Sequence, residues 1–252
     1  MTDDGRPLAP AFYAGPPSAR RRALADWWVV LHPPYTLWHL SYVAIGATIA
    51  ARFDGGRLIA TLLAFFLAVG VCAHALDELH GRPLRTAIPD WLLVGAAAAS
   101  LAGAVALGIV GLARVGPGLA VFIVVGVALT VGYNLELVGG RLHNDVTFAA
   151  AWGAFPVLTG YYAQAETLRF PAIAAAAAAY WLSAAQRALS TPARTLRRQV
   201  VSLDGTVTYG DGRTAPLSST QMLVPLETAL KAMAGAIVAL AVALVVFRLT
   251  DM

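Results

Sequence analysis

An all-α bundle of membrane-spanning helices is the fold class the sequence predicts, on three observations. Of 252 residues, 58% are hydrophobic and only 13% charged, with a mean hydropathy of +0.67, which is outside the range of soluble domains. The apolar residues fall in runs of about 18 or more, the length a helix rising 1.5 Å per residue needs to cross ~30 Å of hydrocarbon. The runs are rich in Ala and Leu and lack the two-residue alternation of a membrane β-barrel.

Residues 1–17, with Pro7, Pro10, Pro16, Pro17 and two glycines, read as a flexible tail. Ser18 is placed to cap an interfacial helix ending near residue 32, which carries Arg20, Arg21 and Arg22 ahead of Trp27 and Trp28, as a membrane-surface anchor does. Met1 to Pro10 is too acidic for a signal peptide, so the first apolar helix is expected to be retained. Residues 33–252 read as one transmembrane domain with seven spans at approximately 34–51, 58–76, 91–113, 117–135, 146–163, 170–187 and 224–248. Between the last two, 188–222 is polar. There, Asp204-Gly205 lies between Val200-Val201-Ser202-Leu203 and Thr206-Val207-Thr208-Tyr209, and predicts a hairpin at about 199–213 on the cytoplasmic side. The alanine runs 96–99 and 174–179 let helices approach closely. Trp38, Trp91, Trp152 and Trp181 fit an aromatic belt.

Basic residues set the orientation. With the N-terminus cytoplasmic, that side holds Arg6, Arg20, Arg21, Arg22, Arg82, Arg85, Arg141, Arg187, Arg194, Arg197, Arg198 and Arg213. The other side holds only Arg52, Arg57, Arg114, Arg169 and Arg248, so the C-terminus is expected outside the cell membrane. The net charge of +4 is sorted by side rather than gathered in a patch, which argues against nucleic-acid binding. The single cysteine, Cys72, lies in an apolar run and offers neither a disulfide framework nor a thiol cluster for a metal.

Polar residues in or beside the membrane carry the functional expectation, because each is costly to place there. On a helix continuing to Leu79, His74, Asp77 and Glu78 share one face at i, i+3 and i+4. The plain alternative is a helix end with Asp77 or Glu78 paired to Arg82. Glu227 and Lys231 stand at i, i+4 as an ion pair near the start of the last helix, and His143, Asn144 and Asp145 either bind a polar acceptor or cap the fifth. Asp204 and Asp211 precede glycines, as ordinary turn residues do.

Three stretches stand out together: His32-Pro33-Pro34-Tyr35-Thr36-Leu37 leading into Val43-Ala44-Ile45-Gly46-Ala47; Ala73-His74-x-x-Asp77-x-x-x-Gly81 followed by Arg82, Arg85 and Thr86; and Tyr133-Asn134, then Arg141, His143 and Asn144, ahead of 151–163. They resemble the UbiA-type polyprenyl transferases. The first is similar to that family's opening helix, the second to its Asn-Asp-x-x-Asp-x-x-x-Asp motif with one aspartate kept, and 151–163 to its Gly-x-x-Pro-x-x-x-Gly-x-x-Ala stretch. The resemblance covers approximately 32–198 and departs in two places. Where a second Asp-rich motif would follow the sixth helix, this chain has Arg187, Arg194, Arg197 and Arg198, and it has seven predicted spans where the family usually has nine.

The resemblance implies a shortened, divergent prenyl transferase. Its isoprenoid diphosphate ionises as carboxylate-bound Mg2+ neutralises the leaving group. Carried over residue by residue, Asp77 and Glu78 would be catalytic and hold Mg2+, one ion rather than two. His74, Arg82, Arg85, Tyr133, Asn134, Arg141, Arg187, Arg194, Arg197 and Lys231 would bind substrate. The arginines would meet diphosphate directly by charge-assisted hydrogen bonds, although the inward bias of positive charge alone accounts for their number. The implied partners are the lipid bilayer and an isoprenoid diphosphate or polyisoprenoid. The alternative is a non-catalytic lipid-binding relative or a structural subunit of a larger membrane complex. Neither an inverted repeat nor a series of mid-membrane charges favours a transporter.

Overall fold

The computed structural model describes residues 11–13 and 22–250, so the tail apart from 11–13, together with Ser18, Arg20 and Arg21, lies outside the described residues. The chain is mainly helical: α1 (Arg22–Val30), α2 (Pro33–Thr48), α3 (Gly55–Leu79), α4 (Asp90–Val115), α5 (Leu119–Asn134), α6 (145–165), α7 (Phe170–Arg198) and α8 (Ser219–Thr250). Of these, α3, α4 and α8 are long and apolar enough to cross a membrane. Apolar side chains such as Ile59, Ile109, Val110, Phe170, Val242 and Phe247 face outward on the helices, which suits a hydrocarbon surround rather than water. At 16 residues α2 is shorter than a full crossing, and α7 carries Tyr180, Trp181, Gln186 and Arg187 among its alanines.

Helix α2 is the hub, packed against α6 and α8. Its crossing with α6 is close because two positions lack side chains: a Cβ on Gly46 would collide with the Val157 carbonyl, and one on Gly160 with that of Val43. Trp38 and Tyr42 pack there with Val157 and Ile237. Two helices are locally widened into π turns, α3 over Phe66–Ala73 and α6 over Ala150–Ala154.

The two ends of the bundle differ. At the distal end, where α2 finishes and α3 begins, Asp54 caps α3 by accepting from Arg57 N (2.8 Å). The Arg57 guanidinium donates to the carbonyls of Ala163 (3.2 Å) and Arg114 and pairs with Glu166 at 3.0 Å. Arg248 donates to the carbonyls of Thr48 (2.7 Å) and Ala50. At the proximal end lie the loops 80–89 and 135–144 and the hairpin. That hairpin is not the one the Asp-Gly pair predicts. β1 (Thr206–Thr208) pairs antiparallel with β2 (Thr214–Pro216), Thr206 opposite Pro216, around a turn in which Arg213 N donates to Asp211 (3.0 Å). Asp204-Gly205 instead leads into β1, with the Gly205 carbonyl accepting from Leu217 N at 2.9 Å. The second aspartate-glycine pair, Asp211-Gly212, can bond to the flanking arginine and takes the turn.

Candidate functional site

A cavity of about 290 Å³ opens at the proximal end, walled by α2, α3, α5, α6, α7 and α8 and by residues 11–13. From α3 come His74 and Asp77. His74 Nδ1 lies 3.1 Å from the Gly70 carbonyl. A carbonyl only accepts, so that nitrogen carries the proton and Nε2 is left basic. The same argument fixes His39, whose Nδ1 donates to the Trp152 carbonyl at 2.7 Å. His32 sits at the start of α2 with φ 45°, a left-handed conformation uncommon outside glycine. This places its ring 4.8 Å from that of His74, with its Nδ1 hydrogen-bonded to the Tyr13 hydroxyl. Burial, then the neighbouring His74 and the Arg198 and Arg194 charges, hold His32 well below the usual imidazole range, so it stays neutral.

The opposite wall is one face of α7, since Arg187, Ser190, Arg194 and Arg197 recur at helical spacing. Arg187 donates to Asp145 (3.0 Å) and lies 4.9 Å over the Phe148 ring. Arg197 donates through Nε to Glu227 at 2.8 Å. Arg198 reaches the Pro83 carbonyl at 3.4 Å. Arg194 reaches the Thr191 hydroxyl at 3.3 Å. Burial and then mutual repulsion lower both guanidinium pKa values, Arg187 acting on Arg194 and Arg194 on Arg198. Both remain cations. The described carboxylates on the wall are Asp77 and the already paired Glu227, so the cavity is net positive. Tyr133, 4% exposed, stacks on His143 at 4.5 Å, and its hydroxyl has no partner among the described residues. A buried hydroxyl left unpaired is costly, and this one lines a cavity that could supply its partner.

The structure thus gathers His74, Asp77, Tyr133, Asn134, Arg187, Arg194 and Arg197 in one place. Five other sequence candidates do not line that cavity. Glu78 is fully buried and faces loop 80–89, accepting from Leu84 N (2.9 Å), Thr86 N (2.9 Å) and the Thr86 hydroxyl (2.8 Å). Adjacent helical residues point ~100° apart, and the amide groups following the helix end claim this carboxylate. Asp77 and Glu78 therefore do not form a joint Mg2+ site, and no group of three or more His, Cys, Asp or Glu is arranged for a metal among the described residues. Arg82 donates to the Ile88 carbonyl (2.6 Å) and pairs with Asp90, outside the cavity. Arg85 and Arg141 are exposed and do not line it. Lys231 does not pair with Glu227, because Arg197 holds that carboxylate; its ammonium sits 4.8 Å over the Phe12 ring instead. Asn144 caps α6, its Oδ1 accepting from Thr147 N at 2.9 Å.

Sequence reading missed Tyr13, His32, Tyr35 and His39 as wall residues. For His39 the signal was available, since it is an ionisable residue inside an apolar run.

A second, apolar chamber of about 480 Å³ lies between α3, α4, α5 and α6. Its α5–α6 seam is closed by Phe122 against Phe155 (6.1 Å) and Tyr162 (4.7 Å), and its distal end is lined by Asp54, Arg57 and Arg114. Val69 and Trp152 line both the chamber and the polar cavity. Each sits in one of the two π turns, which occur often at functional sites. Compared with protein-family models, curated proteins and solved structures, the chain matches none.

Proposed function

We propose that the chain is an integral membrane protein with seven spans, its N-terminus cytoplasmic and its C-terminus outside. It takes an isoprenoid diphosphate head-first and transfers the chain to a small or lipid acceptor, in the manner of the UbiA-type transferases it resembles. One observation carries this reading: a cationic cavity and an apolar chamber lie on either side of Val69 and Trp152, which line both, and together they suit an amphiphile with an anionic head. Arg187, Arg194, Arg198 and the Tyr133 hydroxyl would bind diphosphate oxygens as charged and neutral donors. Their charge gains most as the carbon–oxygen bond breaks and the electron pair moves to the leaving diphosphate. The proton released by the acceptor has an imidazole lone pair within the cavity at His74 Nε2. Asp77 is the carboxylate available for Mg2+, which is commonly held by one or two carboxylates together with substrate phosphates. Bound there, the ion would supply further neutralisation of the leaving group.

A second reading has its own support. Glu78 is engaged by loop 80–89 and arginines stand where a second acidic motif would be, which favours a non-catalytic isoprenoid-binding protein or a subunit of a larger membrane complex. The deciding experiment uses nanodisc-reconstituted protein with allylic diphosphates of several chain lengths, Mg2+, and aromatic and lipid acceptors. Release of diphosphate supports transfer, and Asp77→Asn should abolish its magnesium dependence. Binding without release selects the isoprenoid-binding form of the second reading, and no binding removes both that form and transfer, leaving the subunit role.

A further inference from the structure

We infer that residues 11–13 are a lid on the polar cavity, opening to admit an anionic head group and closing to complete the wall beside His74. The inference rests on the head-first reading for what passes beneath the lid, and on geometry alone for the lid itself. The three residues belong to the stretch whose composition reads as a flexible tail, yet Ala11 is only 9% exposed and all three line the cavity. The Phe12 ring lies 4.8 Å from the Lys231 ammonium of α8. Tyr13 reaches the other side, where its hydroxyl bonds to His32 Nδ1 and lies 3.4 Å from the Val29 carbonyl of α1. The segment therefore spans the gap from the α1–α2 junction to α8.

Two features distinguish a lid from a fixed wall. The first is how it is held. The other wall residues sit in helices and their caps, or in loops 80–89 and 135–144, whose backbones are bonded: Leu84 N and Thr86 N donate to Glu78, and His143 N to the Gly140 carbonyl at 2.9 Å. Among the described residues, no backbone hydrogen bond joins 11–13 to any of these elements. Side chains hold it instead, through ring edges, one cation–π contact and the Tyr13 hydroxyl. Such contacts are individually weak, and a segment without a backbone ladder opens before the helices do. The second feature is what closure assembles. Tyr13 packs edge-on against His32 at 5.9 Å, and the His32 ring lies 4.8 Å from that of His74, the base of the proposed reaction. With the lid down, this row of rings fixes one side of the head-group site; with it up, His32 loses the hydroxyl on its Nδ1 and the cavity gains an entrance. Closure over a bound head also keeps water from competing with the acceptor. Lys231 is then a latch, holding Phe12 rather than substrate.

The test reads access to the cavity without any isoprenoid. Ser190 is 1% exposed and lines the cavity, and a thiol placed there, beside Arg187 and Arg194, is favoured as the reactive thiolate. In nanodisc-embedded protein, Ser190→Cys is labelled with an anionic, membrane-impermeant methanethiosulfonate, the protein with Cys72 alone giving the background. Adding Phe12→Ala or Lys231→Gln should each speed labelling by about three- to tenfold, the worth of one cation–π contact. The two together should do little more than either, because they break the same latch. Should Ser190→Cys not fold, Ala193→Cys on the same wall serves as the reporter. Unchanged rates, effects that multiply in the double variant, or a thiol that no variant exposes overturn the lid. A second arm follows farnesyl diphosphate, whose association and dissociation rates Phe12→Ala should raise together, leaving affinity within about threefold. Weaker affinity with an unchanged association rate makes 11–13 a fixed wall and overturns the lid. Absence of binding overturns the head-first reading instead, and labelling still judges the lid.

Discussion

At the distal end of the bundle, Arg57 and Arg248 are taken up by the backbone: both guanidinium groups are held by carbonyls at helix ends, and Arg57 also by Glu166. At the proximal end, Arg187, Arg194, Arg197 and Arg198 crowd one helix, and burial with mutual repulsion lowers the pKa values of Arg194 and Arg198. The same side chain therefore fastens loops at one end and gathers positive charge along one helix at the other, where only two of the four arginines have an ion pair with a described carboxylate. What separates the two roles is the local supply of acceptors, which no count of arginines per side reveals. Sites arranged for a ligand commonly carry such local disagreement with stability.

The sharpest way to break this comparison is Arg194→Gln. Losing a hydrogen bond to a charged group costs ~1.5–3 kcal/mol, so farnesyl diphosphate affinity in a titration should fall by about ten- to a hundredfold, while the melting temperature holds or rises. A clear loss of stability would place Arg194 with the fastening set. Glu78→Gln should act in the opposite way, because its amide cannot accept from both sides of loop 80–89. Thermal unfolding should show a loss of ~1–3 kcal/mol, with the magnesium dependence of diphosphate binding retained. A smaller effect is expected for Arg248→Gln, which leaves the carbonyls of Thr48 and Ala50 short of a donor. Stability should fall by about 1 kcal/mol, discounted for its partial exposure, and diphosphate affinity should not change.

The smallest expected effect is a pH slope. The folded-state pKa of His32 is depressed, so above the ordinary imidazole value of ~6.5 it is neutral folded and unfolded alike. As the pH falls through that value the unfolded chain takes up a proton that the folded one refuses, and stability declines. Melting temperatures from about pH 7.5 down to about 5.5 should show this decline, and His32→Gln should flatten it.

Helices were legible along the chain because long apolar runs are a strong signal, but the arginine face was not, since the sixth span was expected to end near residue 187 and α7 continues to Arg198. The end of α3 at Leu79 is as far as the sequence carried that helix, but the course of the loop beyond it was not legible. Spacing alone put Asp77 and Glu78 on one face, but the fate of Glu78 is decided by amides of Leu84 and Thr86, whose path depends on how loop 80–89 packs under α1. Lys231 was misjudged for a similar reason: Glu227 had a nearer helical neighbour in sequence, yet Arg197, thirty residues away, reaches it. The chamber was invisible to the sequence, since its lining residues read as ordinary helix filler until four helices surround a gap.

The π turn at Phe66–Ala73 makes chain length, rather than side-chain identity, a handle on this site. A widened turn houses a residue beyond the regular helical count and absorbs it locally, so removing one residue there would let the ladder close into ordinary α-helix with His74 and Asp77 still facing the arginine wall. One residue removed from the regular turns at Gly55–Phe65 would instead swing the two halves of α3 by ~100° about the helix axis. The same small deletion, with the hydropathy profile almost untouched, would thus spare head-group recognition on one side of Phe66 and disturb it on the other.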